Sequence, residues 1–174
     1  MSNRNAKFNV VNSLQMLETK NTLALDSRYA SIEALNNIVA HMIDVALAAK
    51  HAHWNVRGPS FMSYHTLFDK AFTDLIEQID SLGERATALG GIARGTVQTV
   101  AAATRFAPYP VLSTAEAEHV ALLSTRLGEL GHDLRQATIA ASEHGDIVTA
   151  DVLTDAGAAV DSLLWLIESH TART

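Results

Sequence analysis

At 174 residues, 48% of them hydrophobic and only three of them proline, the chain is long enough for one substantial core and favours long helices over a turn-rich β fold. It has no cysteine, which excludes disulfides and thiolate metal sites and fits a reducing cytoplasm. The net charge of −6 is unevenly spread: Arg4, Lys7, Lys20 and Arg28 against Glu18 and Asp26 give the first 30 residues +2 and leave −8 for the rest, a mildly basic arm on an acidic body. No long apolar run follows a basic start, so neither a signal peptide nor a transmembrane segment is expected.

Residues 1–26 are Asn-rich without sustained periodicity and read as a flexible arm. From about 27 to 55, Leu35, Val39, Met42, Ile43, Ala46 and Leu47 recur at helical spacing. Gly58-Pro59 breaks this helix, and Pro59 suits the first turn of the next. The second helix carries Phe61, Phe68, Phe72, Leu75, Ile76, Ile79 and Leu82 on one broad face and stops near Leu89-Gly90-Gly91. A long connection follows, about 90–112, with a short helix predicted over 96–103 and closed by Pro108 and Pro110. Ser113-Thr114-Ala115-Glu116 has the form of a capping box. The third helix then runs through Leu123, Leu127, Leu130, Leu134, Ala137 and Ala141 to Gly145. The fourth runs from about 146 to 169 through Leu153, Ala156, Val160, Leu163 and Ile167, leaving 171–174 as a short tail. Four amphipathic helices predict an all-α bundle over 27–170, and the long second connection allows a crossover.

Five residues carry the chemistry: His53, His65, Asp69, Asp80 and Glu84. Two imidazoles and three carboxylates form a mixed N/O set suited to iron or another divalent transition metal. His65, Asp69, Asp80 and Glu84 fall within a ~100° arc of one helix, near the apolar Phe68, Phe72, Ile76 and Ile79. The His65/Asp69 and Asp80/Glu84 pairs are fifteen residues apart, ~22 Å along a helix, whereas a metal–ligand bond is ~2 Å. An ion that sees both pairs must take the second from another copy of the chain.

Plainer readings compete. The acids would form a salt-bridge network if Lys50, Lys70 and Arg85 took them. Two Glu-x-x-His patterns, Glu116–His119 and Glu129–His132, lie on one helix about 20 Å apart, and a di-metal bundle needs them on two helices. Asp146, Asp151 and Asp155 open the last helix, where Asp caps and meets the macrodipole, or they line an acidic pore that concentrates cations. Trp54 beside His53 is either packing or an oxidisable group near a redox metal. No Gly-rich phosphate loop, nucleophile elbow or zinc-protease motif is present.

Ala52-His53-Trp54-Asn55-Val56-Arg57-Gly58, then His65-x3-Asp69, then Asp80-x3-Glu84-Arg85-Ala86 resemble the Dps family, the DNA-protecting mini-ferritins of starved bacteria. Leu164-Trp165-Leu166-Ile167-Glu168-Ser169 resembles the family's closing helix, and the likeness covers about residues 20 to 170. The resemblance implies a ferritin-like four-helix subunit with a short extra helix between helices two and three. It also implies a hollow homo-dodecamer with a ferroxidase centre at each two-fold interface. His53, His65 and Asp69 would come from one chain, Asp80 and Glu84 from its partner. Such a protein oxidises Fe(II), typically with hydrogen peroxide, and stores ferric oxide in the cytoplasm. Asp146, Asp151 and Asp155 resemble the acids of the family's three-fold entry pores.

The arm departs from the lysine-rich tail of strong DNA binders, with only Arg4, Lys7 and Lys20 before the core and Glu18 opposing them. DNA contact through these three residues is expected to be weak and salt-sensitive. The rival reading is a nucleoid-compacting protein with little ferroxidase activity.

Overall fold

The computed structural model describes residues 16–170. Five helices follow in order: α1 (Leu25–Asn55), α2 (Phe61–Ala88), α3 (Val97–Ala103), α4 (Glu116–Glu143) and α5 (Ile147–Glu168). No strand occurs among the described residues, only an isolated bridge between Arg57 and Ala115. The expected bundle of four long helices, with a short one in the crossover, is therefore present.

The helices end where the sequence supplies glycine. Past α2, Gly90 takes φ +89°, its N–H donates to the Thr87 carbonyl, and the Gly91 N–H reaches back to Ala86. Past α4, Gly145 at φ +76° donates to Ser142, and the Asp146 N–H to Ala141. Both pairs satisfy carbonyls that the helix leaves open, in a conformation that costs glycine little. The α3 start is capped by Thr96, whose hydroxyl accepts from the Thr99 N–H at 3.4 Å.

α1 packs on α2 and α4, and α5 on α4 and α2, so α2 and α4 sit on one diagonal. The chain must cross the bundle between them, and α3 lies against α1 on that path. Ile32, Leu35, Met42, Phe68, Leu75, Leu82, Leu127, Leu130, Leu134 and Leu153 fill the interior and are fully buried. By length and composition alone, α1 is long and apolar enough to cross a membrane, with a window of mean hydropathy 1.3. That window is 61% buried within the bundle, which accounts for its composition by core packing.

Two expectations change. The arm read as free through residue 26 is attached earlier: the Leu17 N–H donates to the Gly90 carbonyl at 2.8 Å, Met16 and Leu23 pack on the core, and α1 has begun by Leu25. Arg4 and Lys7 lie outside the described residues, while Lys20 is exposed. The capping box does not form. Ala115 occupies the α4 N-cap, and the Glu116 carboxylate leaves its own helix to accept the Ser60 N–H at 2.7 Å. Glu116 thus caps α2. Gly58 permits this, because a Cβ there would stand 2.3 Å from the Glu116 carboxyl carbon.

Candidate metal centre

His53 comes from the last turn of α1 and His65 from the second turn of α2. Their rings stack with centroids 3.7 Å apart and 20° between planes, and Phe61 lies 5.0 Å from the His65 ring. His53 Nδ1 is 2.7 Å from the His65 carbonyl, and His65 Nδ1 is 2.8 Å from the His53 carbonyl. A carbonyl only accepts, so both Nδ1 atoms carry the proton. In the neutral rings each Nε2 keeps its lone pair, the state a metal-binding imidazole needs, with the opposite nitrogen anchored to backbone.

Asp69 lies one turn beyond His65, half-exposed, with its nearer oxygen 4.0 Å from His53 Nδ1. The Lys50 ammonium donates to it. That hydrogen bond holds the Asp69 carboxyl below the usual range; desolvation opposes it, and the Lys50, His53 and His65 charges add to it. Lys50 also lies 5.1 Å over the Phe72 ring.

Asp80 and Glu84 stand on the same unbroken helix, ~22 Å further on at about 1.5 Å per residue. They are exposed in the single chain, beside the 42% exposed Ile76, on a face they share with Ile79 and Gly83. Neither side chain has a hydrogen bond or ion pair among the described residues. Of the cations in the plainer reading, only Lys50 meets one of the five residues. Lys70 pairs with Asp74 and Arg85 with Asp146. No group of three or more His, Asp or Glu side chains forms a metal cage within the described part of one chain. One face thus offers two fixed imidazole nitrogens and a carboxylate, the other two unpartnered carboxylates. Two imidazoles and three carboxylates are donor types that suit a divalent transition ion, but the single chain holds them in two separate groups.

The other singled-out residues lie elsewhere. Asp146 is 2% exposed and is the α5 N-cap: it accepts the Thr149 N–H at 3.0 Å and the Arg85 guanidinium at 2.7 Å. Burial pushes its carboxyl up, but the Thr149 hydrogen bonds and the Arg85 charge outweigh it, and the net shift is downward. Asp151 and Asp155 face solvent. Trp54, beside His53, is 68% exposed. Neither Glu-x-x-His pair joins the site: Glu116 caps α2, Glu129 meets Arg105, and His132 is exposed. His119 is buried and 2.8 Å from the Tyr109 hydroxyl. The salt-bridge reading named Lys50, which does take Asp69, whereas the contact between Tyr109 and His119 was not legible, because no motif or periodicity links those two residues.

The ferritin-like domain family matches this chain over residues 32–174. A DNA protection during starvation protein of Agrobacterium fabrum is 38% identical over 153 residues, spanning 88% of this chain and 94% of that protein. A protein of the same name from Brevibacillus brevis is 31% identical, over 78% of this chain and 90% of its own length. Among solved structures, DpsC from Streptomyces coelicolor superposes with a TM-score of 0.87 at 26% identity, covering 93% of this chain and 94% of that one. Dps from Microbacterium arborescens in its high iron form gives 0.81 at 27% identity, covering 86% and 97%.

Proposed function

The chain belongs to the Dps family of ferritin-like proteins, and on that premise we propose that it is a ferroxidase that oxidises Fe(II) with hydrogen peroxide or dioxygen and stores the ferric product inside a shell of twelve copies. The observation that carries this reading is the division of the donors. His53 and His65 have both Nδ1 atoms anchored and both Nε2 atoms available, while exposed Asp80 and Glu84 have no side-chain partner among the described residues. A two-fold axis would bring the imidazole half of one chain to the carboxylate half of another and create two identical sites per dimer.

In this mechanism Fe(II) is the substrate. The two Nε2 atoms and Asp69 bind it from one side, and Asp80 and Glu84 of the partner subunit bind it from the other. The carboxylates favour the more highly charged ferric product. Their dense negative charge also discharges the cost of holding a cation at an interface. Lys50 keeps Asp69 oriented before the cation arrives and yields it on binding. Trp54 stands beside the ligand His53 as an oxidisable neighbour. For iron entry, Asp151 and Asp155 are the acids free to attract cations at a pore, since Asp146 is held by Arg85 and the helix cap. DNA protection would then come chiefly from removing Fe(II) and peroxide. Contact of DNA with Arg4, Lys7 and Lys20 would be weak and lost as salt rises, because the body repels phosphate.

The test is complementation between two crippled chains. One variant lacks His53 and His65, the other Asp80 and Glu84, and each alone should be inactive. Random co-assembly in equal amounts should restore about a quarter of wild-type sites, since every two-fold contact is reciprocal. Peroxide-driven Fe(II) oxidation by stopped-flow absorbance, on mixed particles verified by native mass spectrometry, reads the result. No recovery in mixed particles would overturn the shared site.

A further inference from the structure

The ferroxidase reading makes no use of one buried pair. Tyr109 lies in the crossover after α3, and its hydroxyl is 2.8 Å from His119 Nδ1. The rings are nearly parallel, 8° apart with centroids at 5.9 Å. His119 is fully buried, and its Nε2 has no partner among the described residues. Arg126 lies 5.3 Å over the Tyr109 ring, and His51 meets the same ring edge-on at 5.5 Å. Neither Tyr29 nor Tyr64 has such a bond to a base among the described residues.

The pair is packed against neighbours of the ligands. The Phe68 ring is 6.1 Å from His119, and Phe68 precedes Asp69 in the chain. His51 precedes His53 by two residues. Ring contacts through Phe68 and His51 therefore connect α2 and α1, the helices that carry Asp69 and His53, to the Tyr109–His119 pair. Burial keeps the phenol protonated well above the usual tyrosine range, the Arg126 charge opposing, and burial keeps His119 neutral, assisted by His51. A protonated phenol bonded to a neutral imidazole can lose one electron while its proton moves a short distance to a base already in place.

Resting on the ferroxidase reading, we propose that Tyr109 and His119 form a one-electron reservoir that completes the reduction of peroxide when only one Fe(II) is bound. One Fe(II) and one hydrogen peroxide give Fe(III), hydroxide and a hydroxyl radical. The hydroxyl radical takes an electron from Tyr109 and becomes hydroxide. The phenolic proton passes to His119 Nδ1, leaving a neutral tyrosyl radical and an imidazolium. A second Fe(II) then returns an electron to Tyr109, His119 returns the proton, and a second Fe(III) forms. The sum is two Fe(II) and one peroxide to two Fe(III) and two hydroxides. The donor set gives the reservoir its purpose, because a site that holds one Fe(II) gives peroxide only one electron and would otherwise release a radical.

The test uses the full-length assembled protein in two arms. In the first, metal-free protein is oxidised with photogenerated ruthenium(III) tris-bipyridine and freeze-quenched for electron paramagnetic resonance. Wild type and Tyr64→Phe should give a tyrosyl signal, Tyr109→Phe should lose it, and His119→Gln, which accepts a hydrogen bond but no proton, should lower its yield. In the second, peroxide is added to protein holding one Fe(II) per site, with a spin trap for hydroxyl radical. Trapped hydroxyl should rise in Tyr109→Phe and stay low in wild type. A tyrosyl signal unchanged in Tyr109→Phe, or none in wild type in the first arm, overturns the reservoir. Failure of wild type to oxidise Fe(II) in the second arm would instead overturn the ferroxidase reading, and the first arm still decides the pair.

Discussion

In the first turns of α2 the ligand-type side chains are fixed by their own chain. His65 is stacked on His53 and bonded to its carbonyl, Asp69 is held by Lys50, and the helix start is capped from α4 by Glu116. Fifteen residues on, the same helix shows the reverse: Asp80 and Glu84 have no side-chain partner among the described residues, while their neighbour Arg85 is locked to Asp146 and Thr149. One end presents nitrogen donors that need acids, the other acids that need a cation. Under the proposed function, organised incompleteness at both ends of a rigid rod would make a site that exists only after assembly.

The largest effect should come from breaking either half. His53→Ala or Asp80→Ala should slow peroxide-driven Fe(II) oxidation by more than the roughly 10–100-fold that losing a group supporting a metal ligand costs. Particle size by size-exclusion chromatography should be retained. Stopped-flow rates equal to wild type in both variants would sink the assignment.

Next comes Arg85→Ala, which attacks the anchored side of the C-terminal half. It leaves a buried carboxylate without its cation and should cost about 3 kcal/mol, read by urea unfolding at fixed protein concentration. The pH dependence has a definite sign. Asp146 is held below its ordinary 3.8, so it contributes stability that is complete above that value and lost as pH falls through the folded one. Without Arg85 that advantage shrinks, and the deficit of the variant should narrow below about pH 4, near the ordinary Asp value. A constant deficit from pH 7 to 3 would contradict this.

The smallest effect concerns the cap on α2. Glu116→Ala should cost about 1 kcal/mol, as loss of a helix cap does. Gly58→Ala should cost more, because its Cβ would displace the same carboxylate and φ +158° disfavours any side chain. The double variant should cost no more than the larger single one, since one hydrogen bond is lost only once. Additive losses would separate the two residues.

The long helices were legible because their apolar residues repeat near every fourth position and glycines stop them, as at Gly90 and Gly145. The separation of His65 from Asp80 along one unbroken helix was legible too, from arithmetic on their spacing. Side-chain partners chosen across the bundle were not. Ser113 to Glu116 reads as a local motif, yet α2 begins alongside and takes the Glu116 carboxylate. Asp146, Asp151 and Asp155 look alike in sequence, but only Asp146 falls where Arg85 can reach it. Tyr109 and His119 meet only because the crossover folds onto α4.

The diagonal placement of α2 and α4 also bears on how the chain reaches this state. Residues 56–60 close α1 on α2, and residues 144–146 close α4 on α5, so each helical hairpin forms through short, entropically cheap loops. Contacts such as His41 with Asp133, separated by 92 positions, must wait for the two hairpins to dock. All five residues assigned to iron lie in the first hairpin. Its rapid local formation would produce both halves of the metal site early, while the Tyr109–His119 bond and the closed core depend on the slower docking step.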